Sequence, residues 1–104
     1  MDPASLNTYV MNNGSTCRVK RLRYRAKHVD INYIGTRGWT AVMYLIFWVN
    51  PPAVKVLIEL GADTVHIRNM DGMNAGDLAV HIHAQCVSRV FKKRAKEIVD
   101  LIRT

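Results

Sequence analysis

The side chains that could bind a metal ion or act as a nucleophile are scattered along the chain. His81 and His83 stand two residues apart, so on a helix they point about 200° away from each other and cannot share a metal ion. Cys17 and Cys86 lack the Cys-x-x-Cys spacing of a zinc or redox site. We therefore expect no catalytic residues, no metal and no cofactor, and the protein is predicted not to be an enzyme.

Length and composition indicate what kind of chain must position any binding residues. The 104 residues suit a single domain spanning 1–104, and a hydrophobic fraction of 49% is typical of a globular protein. The longest apolar run, residues 41–49, is far shorter than the roughly 20 residues of a membrane span. With only two cysteines and no secretory leader, we expect an intracellular protein, in the cytoplasm, the nucleus or both.

The formal net charge of +7 comes from two basic blocks on either side of a neutral middle. Arg18–Lys27 is the first block and Arg89–Lys96 is the second. Apolar residues in and around the second block recur at helical spacing, which predicts an amphipathic helix. We expect these charges to be solvated polar faces, and phosphate contact is the alternative. The residues available for such contact are Arg18, Lys20, Arg21, Arg23, Arg25, Lys92 and Lys93.

Two short segments of the chain each have a degenerate counterpart, 33 and 34 residues further on. Asp30-Ile31-Asn32 returns as Asp63-Thr64-Val65. Gly38-Trp39-Thr40-Ala41 returns as Gly72-Met73-Asn74-Ala75. A fixed period of this kind predicts a solenoid of stacked helical units.

Each unit carries signals for the start and the end of helices. Thr40 and Asn74 are predicted to cap the helices that begin at Ala41 and Ala75. Asn50 followed by Pro51 predicts a third capped helix start, and Gly61 a left-handed helix end. The glycines before the capping residues, Gly38 and Gly72, are expected in tight turns.

These motifs resemble the ankyrin-repeat family, whose units contain two antiparallel helices. Residues 30–62 match best, opening with Gly38-Trp39-Thr40-Ala41-Val42 and leading into Leu57-Ile58-Glu59-Leu60-Gly61-Ala62-Asp63. The resemblance implies an all-α fold, a short solenoid of antiparallel helix pairs with hairpin connections and an extended C-terminal capping helix. It divides the chain into a partial first repeat (1–29), the best repeat (30–62) and a degenerate repeat with the capping helix (63–104).

The sequence departs from the family pattern at several positions. Ala41 replaces the motif proline, and Met43 replaces the histidine that ties neighbouring repeats together. Val49-Asn50 stands where Gly-His is usual, and the last unit carries about eleven extra residues.

The resemblance implies that the function is binding of a protein partner on the concave surface, formed by the loop tips and first helices. Large apolar residues stand there at positions that are usually polar, and Arg37 and Arg68 flank them. This combination favours a partner with hydrophobic and acidic residues. Nucleic-acid binding by the basic blocks and formation of a homodimer are the alternatives. The expected contact residues are Ile34, Thr36, Arg37, Trp39, Phe47, Trp48, Arg68, Met70, Asp71, Met73 and His81.

Overall fold

The computed structural model describes residues 3–103, and this part of the chain contains helices and no strand. The α-helices are α1 (Ser5–Asn13), α2 (Val19–Ala26), α3 (Ala41–Phe47), α4 (Pro51–Glu59), α5 (Ala75–Gln85) and α6 (Arg89–Arg103). A 3-10 turn at Thr36–Gly38 precedes α3. The predicted all-α fold is confirmed for the described residues, and none of these helices is long and apolar enough to cross a membrane.

The helices are arranged in two layers. α1, α3 and α5 pack in series and form the first layer, while α2, α4 and α6 pack in series and form the second layer. Contacts between α3 and α4 and between α5 and α6 join the layers. The core lies between them, because each helix buries one apolar face against a neighbour.

α3 occupies the centre of the first layer and is the most buried helix. Five of its seven residues, Ala41, Val42, Met43, Leu45 and Ile46, are fully buried, so only one narrow face reaches solvent. α4 contributes Val54 and Leu57 to the same core. Burial of each such leucine stabilises the fold by about 1.5–3 kcal/mol.

Two of the three predicted helix caps are confirmed. The Asn50 side chain accepts a hydrogen bond from the Ala53 N–H at 3.3 Å, with Pro51 in the first turn. Asn74 and Asp77 form a reciprocal capping box at the start of α5. The prediction for Thr40 is wrong, because its hydroxyl is buried and makes no hydrogen bond within residues 3–103.

The predicted glycine conformations are also confirmed. Gly38, Gly61 and Gly72 all have positive φ, at 75°, 100° and 78°. At Gly61 the chain closes α4, since the Ala62 N–H reaches back to the Leu57 carbonyl. Glycine adopts these conformations with almost no steric cost, because it has no Cβ atom.

The extra residues of the last unit lengthen its helices and leave its turn unchanged. α3 and α4 contain 7 and 9 residues, whereas α5 and α6 contain 11 and 15. The turns between the helices of each pair, 48–50 and 86–88, have the same length. At about 1.5 Å per residue, α6 is therefore roughly 9 Å longer than α4.

The apolar residues that recur at helical spacing along and just before α6 differ in burial between the two halves of the helix. Ala95 and Ile98 in the C-terminal half are buried. Val87, Val90 and Phe91 are 96%, 59% and 48% exposed. Exposure of the N-terminal part follows because the shorter neighbouring helix α4 leaves that part of the stripe uncovered.

Candidate functional site

Two loop tips of matching geometry lie before α3 and α5. In the first, the Gly35 N–H donates to the Trp39 carbonyl at 2.9 Å. In the second, at the equivalent position of the next unit, the Asn69 N–H donates to the Met73 carbonyl at 3.0 Å. The tips are joined directly, because the Met70 N–H donates to the Arg37 carbonyl at 2.9 Å.

Close packing at the first tip holds the two loops in register. A Cβ atom on Gly38 would lie 3.1 Å from the Asn69 Cα atom, so glycine is needed for contact as well as for its positive φ. The buried Asn69 braces the second tip, since its Oδ1 accepts the N–H groups of Asp71 and Met73. The tips therefore form a continuous, braced surface.

Four aromatic side chains, Trp39, Tyr44, Phe47 and Trp48, form a cluster that we name the aromatic face. The ring centroid of Trp39 lies 5.1 Å from that of Tyr44 and 6.0 Å from that of Phe47, and Phe47 lies 5.6 Å from Trp48. These separations suit aromatic pairs, which prefer tilted and edge-to-face arrangements. Phe47 and Trp48 are exposed, whereas Trp39 and Tyr44 are half-buried.

The apolar run 41–49 leaves open from the sequence whether Phe47 and Trp48 are core or surface residues, and the structure places both at the surface. Half of the Phe47 side chain faces solvent. Trp48 is exposed but anchored, because its Nε1 donates to the Met11 carbonyl at 3.0 Å and its ring lies against Gly14. One edge of the aromatic face is thereby fixed to the end of α1.

Tyr44 belongs to this surface and was missed from the sequence. Its spacing to Phe47 and Trp48 is i, i+3 and i+4, which places all three on one face of α3. That spacing is visible in the sequence. The uniformly apolar run 41–49 hid it, because the run does not show which side of the helix faces solvent.

The remaining predicted contact residues occupy the loop tips and α5. Ile34, Thr36, Arg37, Met70 and Asp71 are exposed at the tips, Met73 is half-buried, and His81 is exposed on α5.

The two arginines predicted to flank the surface differ in their environment. Arg68 is exposed but bonded to its own loop and to α5, with its guanidinium 2.7 Å from the Gly72 carbonyl and 3.0 Å from an oxygen of Asp77. Arg37 lies at the tip with φ of 59°, a left-handed conformation that costs about 1–2 kcal/mol for a residue with a Cβ atom. Arg37 is therefore the more available of the two to a partner's carboxylate.

The predicted phosphate-contact residues lie on the second layer, away from the aromatic face. Residues 18–28, α4 and α6 together contain thirteen basic and three acidic residues, a net charge of +10. The rest of the described chain contains two basic and four acidic residues, a net charge of −2. All but two of the fifteen basic residues therefore lie in the second layer.

Some of these basic side chains have partners within the protein. Arg23 forms an ion pair with Glu59 at 3.0 Å, which ties α2 to α4 on the exposed surface. The guanidinium of Arg25 lies 4.1 Å from the centre of the Tyr9 ring, a cation–π contact between α2 and α1. Lys96 pairs with Asp100 one helical turn away.

Among the described residues, the pKa values of Cys17 and Asp63 are shifted from their ordinary values. Burial raises the pKa of the Cys17 thiol, which disfavours the thiolate form that a nucleophile requires. The backbone N–H groups of His66 and Val65 lower the pKa of Asp63, whose Oδ1 accepts both bonds at 2.8 Å. The Asp63 carboxylate thereby braces the segment after α4. Within residues 3–103, no three His, Cys, Asp or Glu side chains are grouped so as to hold a metal ion.

Comparison with known proteins assigns the chain to no family. No protein-family model matches it, and no curated protein matches it.

Proposed function

We propose that this protein is a short ankyrin-like stack that binds a segment of another protein through its aromatic face and loop tips. The two-layer arrangement of helix pairs supports the stacking. So does the recurrence of the same loop hydrogen bond in two successive units. Contact of each helix pair with its neighbour is what a solenoid requires for stability.

The departures from the family pattern have structural counterparts. Met43 stands where the family has a histidine, and the hydroxyl of nearby Thr40 is buried without a hydrogen bond in the described chain. Val49 stands where glycine is usual, and it adopts a φ of 55°, a conformation that is strongly unfavourable for a β-branched residue. The positive φ of Val49 supports the proposal, because it is a conformation that glycine adopts freely.

The observation that carries the binding proposal is the exposed portion of the aromatic face. Exposed aromatic side chains that are held rigidly lose little entropy on binding and contribute much buried area. Here Trp48 is anchored on α1, and the Trp39 carbonyl accepts hydrogen bonds from Gly35 and from the Asn7 side chain. The surface is therefore preorganised for an apolar segment.

Arg37 gives the proposed partner its second chemical feature. Its side chain is exposed beside the apolar tips formed by Ile34 and Met70. A partner segment with one or more large apolar residues followed by a carboxylate would contact both surfaces. This composition remains the partner class that the proposal specifies.

Replacement of Phe47 tests the proposal against a matched control. Phe47 and Phe91 are 50% and 48% exposed, but they lie in different layers. With a partner isolated by affinity capture and then purified, we expect Phe47→Ala to raise the Kd at least about tenfold and Phe91→Ala to leave it unchanged. Isothermal titration would measure both; equal effects of the two replacements would contradict the proposal.

Arg37→Gly, measured in the same titration, separates binding from folding. Because glycine accepts the left-handed backbone at this position, thermal stability should stay the same or rise. Loss of the guanidinium should nevertheless weaken binding several-fold, with a smaller loss at high salt. Unchanged affinity would remove Arg37 from the proposed contact surface.

A further inference from the structure

The N-terminal half of α6, together with the turn before it, combines exposed apolar side chains with concentrated positive charge. Val87 in the turn and Val90 and Phe91 in the first turn of α6 are largely exposed. Between positions 86 and 96 the chain has five basic residues and no acidic residue. The aromatic face lies on the first layer and approaches this region at Trp48, which begins the turn 48–50.

The neighbouring structure leaves this half of α6 beside an open groove. Val90, Lys93 and Arg94 form one wall of the groove, and Ser15 and the segment 49–52 form the other, enclosing about 580 Å³. The groove lies where the turns between paired helices meet, since the Asn50 side chain also donates to the Gly14 carbonyl at 2.8 Å. We name this region the turn end.

The electrostatics of the turn end favour an anionic partner. The acidic residues of the second layer, Glu59, Glu97 and Asp100, lie in the C-terminal halves of α4 and α6. Of these, Glu97 borders the groove. The N-terminal half of α6 is left with cations alone. The partial positive charge of the helix N-terminus adds to this field.

We propose that the turn end docks on the surface of an anionic phospholipid membrane, with Val87, Val90 and Phe91 entering the headgroup and acyl boundary. Basic amphipathic helices bind such surfaces through apolar insertion and attraction to anionic lipids. A bilayer provides both parts at once, because its phosphates and carboxylates lie directly above hydrocarbon.

A nucleic acid would match the basic side chains of the turn end but not its exposed apolar side chains. Its phosphates would pair with Lys92, Lys93 and Arg94, but the two valines would gain almost nothing from a sugar–phosphate backbone. The exposed valines therefore favour a lipid surface. They also make the two partners experimentally separable, since removal of apolar side chains should affect binding to lipid alone.

The experiment measures co-sedimentation of the full chain with vesicles of phosphatidylcholine, with and without about 30% phosphatidylserine. We expect binding to the vesicles that contain phosphatidylserine and little binding to phosphatidylcholine alone. The variant Val90→Ser/Phe91→Ser should bind at least about tenfold more weakly. Circular dichroism would verify that this variant keeps its helices, as the exposure of both residues predicts.

A matched control removes two apolar side chains of similar exposure elsewhere. Val65 and Val80 are 60% and 44% exposed, in the loop before α5 and on α5 itself. The variant Val65→Ser/Val80→Ser should bind the vesicles as the wild type does. Equal loss in both variants would overturn the proposal.

Three further outcomes also decide against it. Equal binding to both vesicle types would mean that anionic lipid is not recognised. Unchanged binding of Val90→Ser/Phe91→Ser would mean that charge alone is responsible. Tighter binding to a duplex DNA probe, unaffected by that variant, would assign the basic surface to nucleic acid. Phe47→Ala should leave vesicle binding intact, so failure here is separable from failure of the proposed protein-binding function.

Discussion

The helix pairs α3/α4 and α5/α6 share one local design but present different surfaces. Both begin with a loop tip that has a glycine at positive φ, and both contain a three-residue turn. The short pair α3/α4 is covered by neighbours on two sides, and the exposed face of α3 is aromatic and uncharged. The longer pair α5/α6 has one helix-pair neighbour and exposes apolar and basic side chains at its turn. A repeated backbone motif therefore sets where helices start, while the length and position of the neighbours set what is exposed.

The largest expected effect compares the glycines of the two loop tips. Gly38→Ala should lower the free energy of unfolding by about 3 kcal/mol, because the new Cβ atom would be strained and would press on the Asn69 backbone. In Gly72→Ala the new Cβ atom meets open space at a similar φ, so the free energy of unfolding should fall by only about 1 kcal/mol. Urea denaturation of both variants would measure the difference.

Equal costs at Gly38 and Gly72 would show that the two tips are not packed against each other. The loop tips would then lose their common brace. The continuous surface proposed for the partner would have to be reduced to the first tip and the aromatic face.

A second comparison concerns two glycines of the first layer, Gly14 at the end of α1 and Gly76 within α5. Gly14→Ala would place a methyl group against the Trp48 ring and the Val10 carbonyl, and we expect a loss of about 2 kcal/mol. Gly76→Ala lies within α5, where the added Cβ atom makes ordinary contacts no closer than 3.4 Å. That change should stabilise the protein by about 0.5–1 kcal/mol.

Thermal unfolding followed by circular dichroism should give a lower melting temperature for Gly14→Ala and a higher one for Gly76→Ala. Tryptophan fluorescence adds a local readout, since Gly14→Ala should expose Trp48 and shift its emission to longer wavelength. A neutral Gly14→Ala would show that Trp48 is not anchored on α1.

The smallest expected effect compares the residues before α3 and α5. Asn74→Ala should cost about 1 kcal/mol, because Asn74 forms a capping box with Asp77. Thr40→Val should instead stabilise the protein by about 1 kcal/mol, since it replaces a buried hydroxyl that makes no hydrogen bond within residues 3–103. Loss of stability in Thr40→Val would restore the cap predicted from the sequence.

Local signals predicted most of the helix starts and turns. Asn50-Pro51, Asn74, Gly61 and the two loop glycines act over a few residues, so their effects follow from the neighbouring sequence alone. The aromatic residues of the candidate surface were also found, with the exception of Tyr44. Their exposure was not predictable, because the run 41–49 is apolar on every side.

Features that depend on distant parts of the chain were not predictable in the same way. The exposure of Val87 and Val90 results from the shorter length of α4, which no pattern within α6 reveals. Arg68 stays a predicted contact residue, but its bonds to Asp77 and to the Gly72 carbonyl could not be read from the sequence. The missing bond of Thr40 depends on which groups surround it after folding.

The division of charge between the layers has a consequence for encounters in solution. The outer surfaces of two packed helix layers are separated by about 20 Å, whereas the Debye length is only about 8–10 Å at physiological ionic strength. An approaching molecule therefore responds to the layer that it meets, which carries either the +10 of the basic segments or the weakly acidic remainder. To a molecule within a Debye length of its surface, the protein behaves as an oriented dipole. Its net charge of +7 governs the long-range attraction of anionic molecules only at low salt.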